Sequence, residues 1–232
     1  MRLNDGTELV YRVREHPRAR RVRLVASLHD GMVVTVPRGF DRSRIPEILE
    51  QKRTWIERAL RRFPMRPEPY RPPLQIALLA VGEEWVVEYE TGEPGRVTLV
   101  KRGDRTLHVS GAIDRSNAVR RVLELWLTSQ ARRHLVPWLG RTAGELGFAL
   151  SGVSVRTQRT RWASCSHRGT ISLNARLLLV PPDLVRYVFV HELVHTRHPN
   201  HSREFWQAVA VHVPDYRDKT KELRRLWRTL QV

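Results

Sequence analysis

The chain has 232 residues, of which 41% are hydrophobic, and this is enough for one large domain or two small ones with buried cores. Its single cysteine, Cys165, excludes an internal disulfide framework and a cysteine-rich zinc finger, so a metal site would need histidine and carboxylate ligands. Because the sequence has neither an apolar signal segment nor a run of about 18 uncharged apolar residues, we expect a soluble, cytoplasmic protein without a membrane partner.

The net charge of +17 favours a polyanionic partner such as nucleic acid or a nucleotide. Arginine supplies 37 of the 41 basic residues, however, and GC-rich codon usage alone can produce that skew. The net charge is +8 over residues 1–74, −2 over residues 75–113 and +11 over residues 114–232. Composition therefore leaves nucleic-acid or nucleotide binding open, and it specifies no oligomeric state.

The first region, residues 1–63, is predicted to be β-rich with one helix. Its β-branched runs predict strands, and His29–Gly31 is typical of a hairpin turn. Apolar residues then recur with helical spacing over residues 44–63, with Asp41 or Ser43 as the helix cap. Five prolines in residues 64–73 predict an extended connector over residues 64–74.

The remainder is predicted to be a β segment over residues 75–113 and a mixed core over residues 114–232. Alternating runs separated by glycine-rich turns indicate antiparallel strands in the β segment. The core should begin with a long helix, kinked near Pro137, and continue with two short strands and three helices. The predicted fold class is α+β, with helices packed on a mostly antiparallel sheet.

The stretch VHELVHTRHPNHSREFW holds four of the chain's ten histidines, and Glu192 stands between the first two. His191 and His195 are four residues apart, so on a helix they lie on one face, about 6 Å from each other. Both imidazoles could therefore hold one cation. Glu192 lies one step around the helix, where a carboxylate can take a proton from a metal-bound water. This His-Glu-x-x-His arrangement predicts one Zn²⁺ per chain, with Glu192 as the catalytic residue.

The third metal ligand must be either His198 or His201. His198 lies roughly 7–8 Å along the helix axis from a metal centred between the first two histidines, too far for a bond of about 2 Å. Pro199 disfavours helix at the preceding residue, so the helix should end near Arg197 or His198 and the chain should turn back. We therefore predict His201 as the third ligand.

The stretch from Arg159 to Trp206, together with VPDY at residues 213–216, resembles the YgjP-like metal-dependent hydrolase family, a relative of the SprT/spartan-type zincin metallopeptidases. The amino-terminal region resembles that family more loosely. The resemblance implies a zincin-like catalytic core, with the metal on His191, His195 and His201 and with Glu192 assisting catalysis. Ala163 departs from the glycine that is usual there.

The resemblance also places further residues near the metal. The strand predicted at Gly169–Asn174 would be an edge strand that pairs with an extended peptide, and the alternative is a plain interior strand. The candidates for contacts around the metal or with substrate are Arg159, Arg161, Ser164, Cys165, Ser166, Asn174, His198 and Tyr216. Among them, an arginine or Tyr216 could stabilise an oxyanion, and Cys165 beside His167 could act as a thiol nucleophile, a less favoured reading.

Three functions fit these features. The first is a zinc metallopeptidase acting on protein or peptide. The second is a metal-dependent nucleotide phosphohydrolase or pyrophosphatase whose arginines hold phosphates. The third is a basic nucleic-acid-binding protein with a structural metal, which Glu192 and the lack of a fourth protein ligand disfavour.

Overall fold

The computed structural model describes residues 3–4, 6, 8–27, 31–62, 71–93, 95–158 and 160–229. They form two compact units, Met1–Arg71 and Pro72–Val232. The predicted connector, residues 64–74, and the predicted turn at residues 29–31 lie mostly outside the described residues, so both stay predictions.

The first unit contains a three-stranded sheet in the order β1-β3-β2, whose strands are β1 (Tyr11–Glu15), β2 (Arg23–Ser27) and β3 (Gly31–Val36). β3 pairs in parallel with β1 and antiparallel with β2. Its residues alternate between buried and half-buried, so one face of the sheet is covered. Met32, Val34 and Val36 form that covered face together with helical residues.

The helix predicted over residues 44–63 is present as two helices, α1 (Ile45–Gln51) and α2 (Arg53–Arg62), on either side of Lys52. A short 3₁₀ turn precedes α1, and the carboxylate of Asp41 accepts from the Ser43 backbone N–H at its start. Asp41 thus caps the 3₁₀ turn, whereas α1 begins after Arg44 without a side-chain cap, so neither candidate caps the helix itself.

The second unit opens with a four-stranded sheet in the order β4-β5-β7-β6, with strands β4 (Gln75–Leu78), β5 (Glu83–Thr91), β6 (Val97–Arg102) and β7 (Thr106–Gly111). β5 and β7 are parallel, and the other two pairings are antiparallel. Gly111 ends β7 with φ +114°, and an added Cβ would lie 1.9 Å from the Arg96 carbonyl oxygen, so no side chain fits there.

The long predicted helix is α3 (Ser116–Glu145), which continues through Pro137 without interruption. Its buried residues include Val119, Leu123 and Leu127, whose spacing marks one face. α3 packs on β6, on β8 (Gly152–Arg156) and on the 3₁₀ turn Ala175–Leu179. Through β8, α3 supports the sheet that contains this strand.

That sheet has three strands in the order β8-β10-β9, with β9 at Ala163–Cys165 and β10 at Thr170–Asn174. The expectation of an edge strand at Gly169–Asn174 was wrong, because β10 pairs on one side with β8 and on the other with β9. Ile171 and Leu173 are fully buried, as an interior strand requires. The edge strand beside the helix that carries His191, Pro182–Val194, is instead β9.

Three helices complete the chain, namely α4 (Pro182–Val194), α5 (Arg203–His212) and α6 (Tyr216–Thr229). The α+β prediction is confirmed, and four of the seven strand pairings in the described residues are antiparallel. Within the described part of the chain, no helix is long and apolar enough to cross a membrane.

Candidate metal centre

Helix α4 carries His191, and His195 is the residue that caps its C-terminal end; the helix is buried on nearly every side. Its buried residues include Val188, Phe189 and Leu193, and Trp138 of α3 meets Phe189 edge-on. This packing fixes the helix, so His191 and His195 project from one face with their ring centroids 4.9 Å apart.

The helix ends earlier than predicted, at Val194, although a helical turn continues to His198. The backbone N–H groups of Arg197 and His198 both donate to the Val194 carbonyl oxygen, at 3.0 and 2.9 Å. They satisfy a carbonyl that the end of the helix would otherwise leave without a partner. The chain then reverses, and Ser202 caps α5 by accepting from the Phe205 N–H.

The reversal brings His201 to the first two histidines. Its Nε2 lies 3.1 Å from Nε2 of His191 and 3.2 Å from Nε2 of His195. Three ligands at about 2.05 Å around one tetrahedral zinc would be separated by about 3.3 Å, so the observed distances fit such an ion closely. Among the described residues, these three form the one cluster of metal-binding side chains.

The position of His198 fixes the tautomer of His195. Nδ1 of His195 lies 3.1 Å from the His198 carbonyl oxygen, and a carbonyl can only accept, so Nδ1 carries the proton. Nε2 of a neutral His195 therefore has a free lone pair directed at the other two histidines. His198 contributes its backbone carbonyl here, and its imidazole is not in the cluster.

His191 is also held in the neutral form that binds metals. Burial lowers the pKa of His191 to about 3, with smaller contributions from His195 and His201. Its Nδ1 is buried without a hydrogen-bond partner. Burial likewise lowers the pKa of His195. Convergent neutral imidazoles are suited to a cation, since metal binding requires deprotonated ligands.

An aromatic wall, formed by Phe205 and Trp206 of α5, borders the three histidines and was not predicted from the sequence. The Phe205 ring centroid lies 5.0, 4.5 and 4.7 Å from those of His191, His195 and His201. Phe205 is fully buried, and Trp206 stacks on His201 at 5.5 Å. The signal was the Phe-Trp pair four residues after His201, on a helix that the Ser202 cap begins.

Glu192 lies on α4 beside the cluster, with 6% of its surface exposed. Burial raises the pKa of Glu192 to about 7, although the Cys165 backbone N–H and the Arg161 charge both oppose the rise. A carboxyl group that titrates near neutrality can both accept and return a proton at physiological pH.

The edge strand β9 contacts α4 and carries two of the candidate residues, Ser164 and Cys165, while Ser166 follows it directly. Cys165 meets Glu192 through its backbone N–H, while burial and the Glu192 charge raise the pKa of its thiol. A raised pKa disfavours a thiolate nucleophile. Ser164 pairs with Ser172 of β10, and the Ser166 hydroxyl accepts from the Thr170 N–H in the turn.

Asn174 holds the loop that leads into β9. Its side chain is fully buried, and its Nδ2 donates to the carbonyl oxygens of Gln158 and Arg161, at 2.8 and 2.9 Å. Its Oδ1 accepts from the Arg176 N–H at 3.1 Å. Asn174 therefore lies behind the site and fixes the backbone that carries the exposed Arg161.

Two candidates remain. Tyr216 stacks on Trp206 with ring centroids 5.0 Å apart, so it is one ring removed from His201. The Tyr216 hydroxyl accepts from Nε of Arg217 at 3.3 Å. Arg159 lies outside the described residues.

Three convergent imidazoles and a buried carboxylate beside them are the groups that a metal-dependent hydrolase uses. The comparison with protein families agrees: the model of the YgjP-like metallopeptidase domain matches residues 20–226. The chain belongs to this family and is a hydrolase of the metallopeptidase class.

No protein with a curated description matches the chain significantly. Among solved structures, the metallopeptidase zymogen abylysin of Pyrococcus abyssi is 26% identical over 39% of this chain and 92% of that one, with a TM-score of 0.35. The metallopeptidase zymogen jannalysin of Methanocaldococcus jannaschii is 20% identical over 40% of this chain and 93% of that one, with a TM-score of 0.34.

Proposed function

We propose that the protein is a zinc-dependent peptidase in which His191, His195 and His201 hold one metal ion and Glu192 is the general base. The observation that carries the proposal is the approach of three Nε2 atoms to 3.1 and 3.2 Å around one point, beside a buried carboxylate. When bound, zinc would supply a water of pKa about 7 and polarise the scissile carbonyl.

The role of Glu192 follows from its surroundings. Its carboxylate is buried and is held by the Cys165 N–H, so its orientation is limited. A pKa of about 7 allows Glu192 to take a proton from the attacking water and deliver it to the leaving amine. Glutamine in its place would keep the shape and lose this transfer.

The strand β9 is the proposed binding edge for the peptide. One side of β9 pairs with β10, and among the described residues no strand pairs with its other side. Main-chain pairing to such an edge binds extended peptides with little dependence on their sequence. We propose Arg161 or Tyr216 as the group that stabilises the oxyanion, since Arg161 acts on Glu192 electrostatically and Tyr216 borders the aromatic wall.

The test compares wild type with Glu192→Gln for metal content and for hydrolysis of casein and of nucleoside triphosphates. We expect one zinc per chain in both proteins and a loss of casein hydrolysis of at least 100-fold in the variant, the scale of general-base catalysis. Equal casein hydrolysis in both would refute Glu192 as the base. Hydrolysis of nucleotides alone, lost in the variant, would replace the peptidase with a phosphohydrolase.

A further inference from the structure

The outward face of the first unit's sheet is lined with arginines. Arg12 and Arg14 of β1 and Arg23 of β2 are exposed, and the loop between these strands adds Arg18, Arg20 and Arg21, also exposed. We call the first three residues the arginine face. Between residues 11 and 27 the single acidic residue is Glu15, at the end of β1.

Strand alternation fixes the direction of these side chains. Tyr11, Val13 and Leu24 pack against the apolar core together with the helical residues. Because successive side chains on a strand point to opposite faces, Arg12, Arg14 and Arg23 point away from that core. No outward position of the described strand residues in this sheet holds an acidic side chain.

The register sets the spacing within the face. Arg14 and Arg23 lie on the two outer strands, and both are opposite Thr35 of the central strand. Their backbones are therefore about 10 Å apart, twice the spacing between strands, whereas those of Arg12 and Arg14 are about 7 Å apart along one strand. The three guanidinium groups thus share one patch and can contact several phosphates of one polyanion at once.

Codon usage does not account for this placement. The second unit is encoded under the same bias, yet the same kind of outward position on β5 carries glutamates, Glu84, Glu88 and Glu90. The net charge is −2 over residues 75–113 and +8 over residues 1–74. Arginine in place of lysine can follow from codon usage, but the sorting of positive and negative charge onto different sheets cannot.

We propose that the arginine face binds the phosphate backbone of nucleic acid without reading its sequence. Arginine binds phosphate oxygens in bidentate fashion, and phosphates in series offer several such contacts together. The apolar side chains on this face, Val25 and Val33, provide neither an aromatic platform for bases nor a bulky wedge for a membrane. Backbone contact with a nucleic acid is the binding mode left to such a face.

The experiment measures binding of the full chain to a fluorescein-labelled 20-base-pair DNA duplex by anisotropy, between 50 and 300 mM NaCl. The test variant is Arg12→Gln/Arg14→Gln/Arg23→Gln. The matched control, Arg42→Gln/Arg44→Gln/Arg58→Gln, removes the same charge from exposed residues on the helical side of the unit. A third variant replaces the arginine face with lysines and keeps the charge.

Each phosphate contact contributes about 0.9 to the slope of log K against log salt, so the test variant should flatten that slope by about 2.7. We expect its affinity at the lowest salt to fall at least tenfold, while the control and lysine variants keep most of the wild-type slope. Unchanged melting temperatures would exclude misfolding.

Equal weakening of the test and control variants would overturn the proposal, because net charge alone would then explain binding. Unchanged binding in the test variant would also overturn it. A further arm uses vesicles with and without anionic lipid. Retention on anionic vesicles through the arginine face, with no binding to the duplex, would assign the face to a membrane surface instead.

Discussion

Replacing Asn174 tests whether one buried amide holds the loop that leads into β9. Asn174 is fully buried and makes three side-chain hydrogen bonds, two donated to the carbonyl oxygens of Gln158 and Arg161 and one accepted from the Arg176 N–H. Alanine removes all three and leaves their backbone partners without a replacement. At about 1 kcal/mol net for each bond, Asn174→Ala should lower the free energy of unfolding by about 3 kcal/mol.

Replacement by aspartate tests the two hydrogen bonds that Asn174 donates separately from the one that it accepts. Asn174→Asp keeps an oxygen for the Arg176 N–H but directs a carboxylate oxygen at two carbonyl oxygens. The introduced carboxyl should have a raised pKa, because burial and acceptor neighbours favour its protonated form. Its destabilisation is therefore expected to be larger at pH 8 than at pH 5, where the protonated group can donate to one carbonyl.

The assay is urea unfolding followed by tryptophan fluorescence, with Asn117→Ala as the control. Asn117 is exposed near the start of α3, so its replacement should change the unfolding free energy by less than about 0.5 kcal/mol. For a unit of this size, 3 kcal/mol corresponds to a fall in melting temperature of about 6–12 °C. A loss below about 1 kcal/mol in Asn174→Ala would refute the argument.

Three further predictions follow from the same structure. Gly140→Ala should raise the unfolding free energy by about 0.5–1 kcal/mol in thermal melts, because Gly140 lies within α3 and a Cβ added there would have no atom from outside the helix backbone within 4 Å. A fall in the unfolding free energy would show a hidden clash. Lys219→Gln should cost about 0.5–1 kcal/mol at pH 7, since Lys219 holds the pKa of Asp183 below its usual value. A lowered carboxyl pKa stabilises the fold above about pH 4, near the pKa of a free carboxyl, so this cost should be lost as the pH falls through the lowered pKa of Asp183, and a constant cost would exclude the ion pair. His198→Ala should keep bound zinc in equilibrium dialysis, because only its carbonyl meets His195, whereas His201→Ala should lose it; the opposite pattern would reassign the third ligand.

The histidine cluster was predictable because its geometry is local. His191 lies in the last turn of α4 and His195 directly follows its last residue, and Pro199 marks the end of helical structure within a few residues. The return of His201 then needs only one tight turn. Spacing, a helix breaker and a short reach specify such an arrangement without knowledge of the remaining fold.

The position of β10 was not predictable on the same basis. Alternation shows which residues of a strand face a core, but it does not determine which strands lie on either side. Thr170–Asn174 carries the same pattern whether it is central or at an edge, and two flanking strands from separate parts of the chain make it central. The burial of Asn174 agrees with the central position, because its amide donates to Gln158 and Arg161 in the loop that joins the two flanking strands.

The centre therefore combines a local part and a non-local part. The three histidines and the aromatic wall come from residues 191–206, whereas the environment of Glu192 depends on β9 and on the loop that Asn174 holds. Metal affinity should depend on the local part, the three histidines and the aromatic wall, because the loop held by Asn174 contributes none of these residues. Proton transfer should follow both, because the Cys165 N–H orients the carboxylate and the Arg161 charge acts on its pKa. Loosening the loop through Asn174 should then reduce turnover while zinc stays bound, a separation that substitution of any of the three histidines cannot produce.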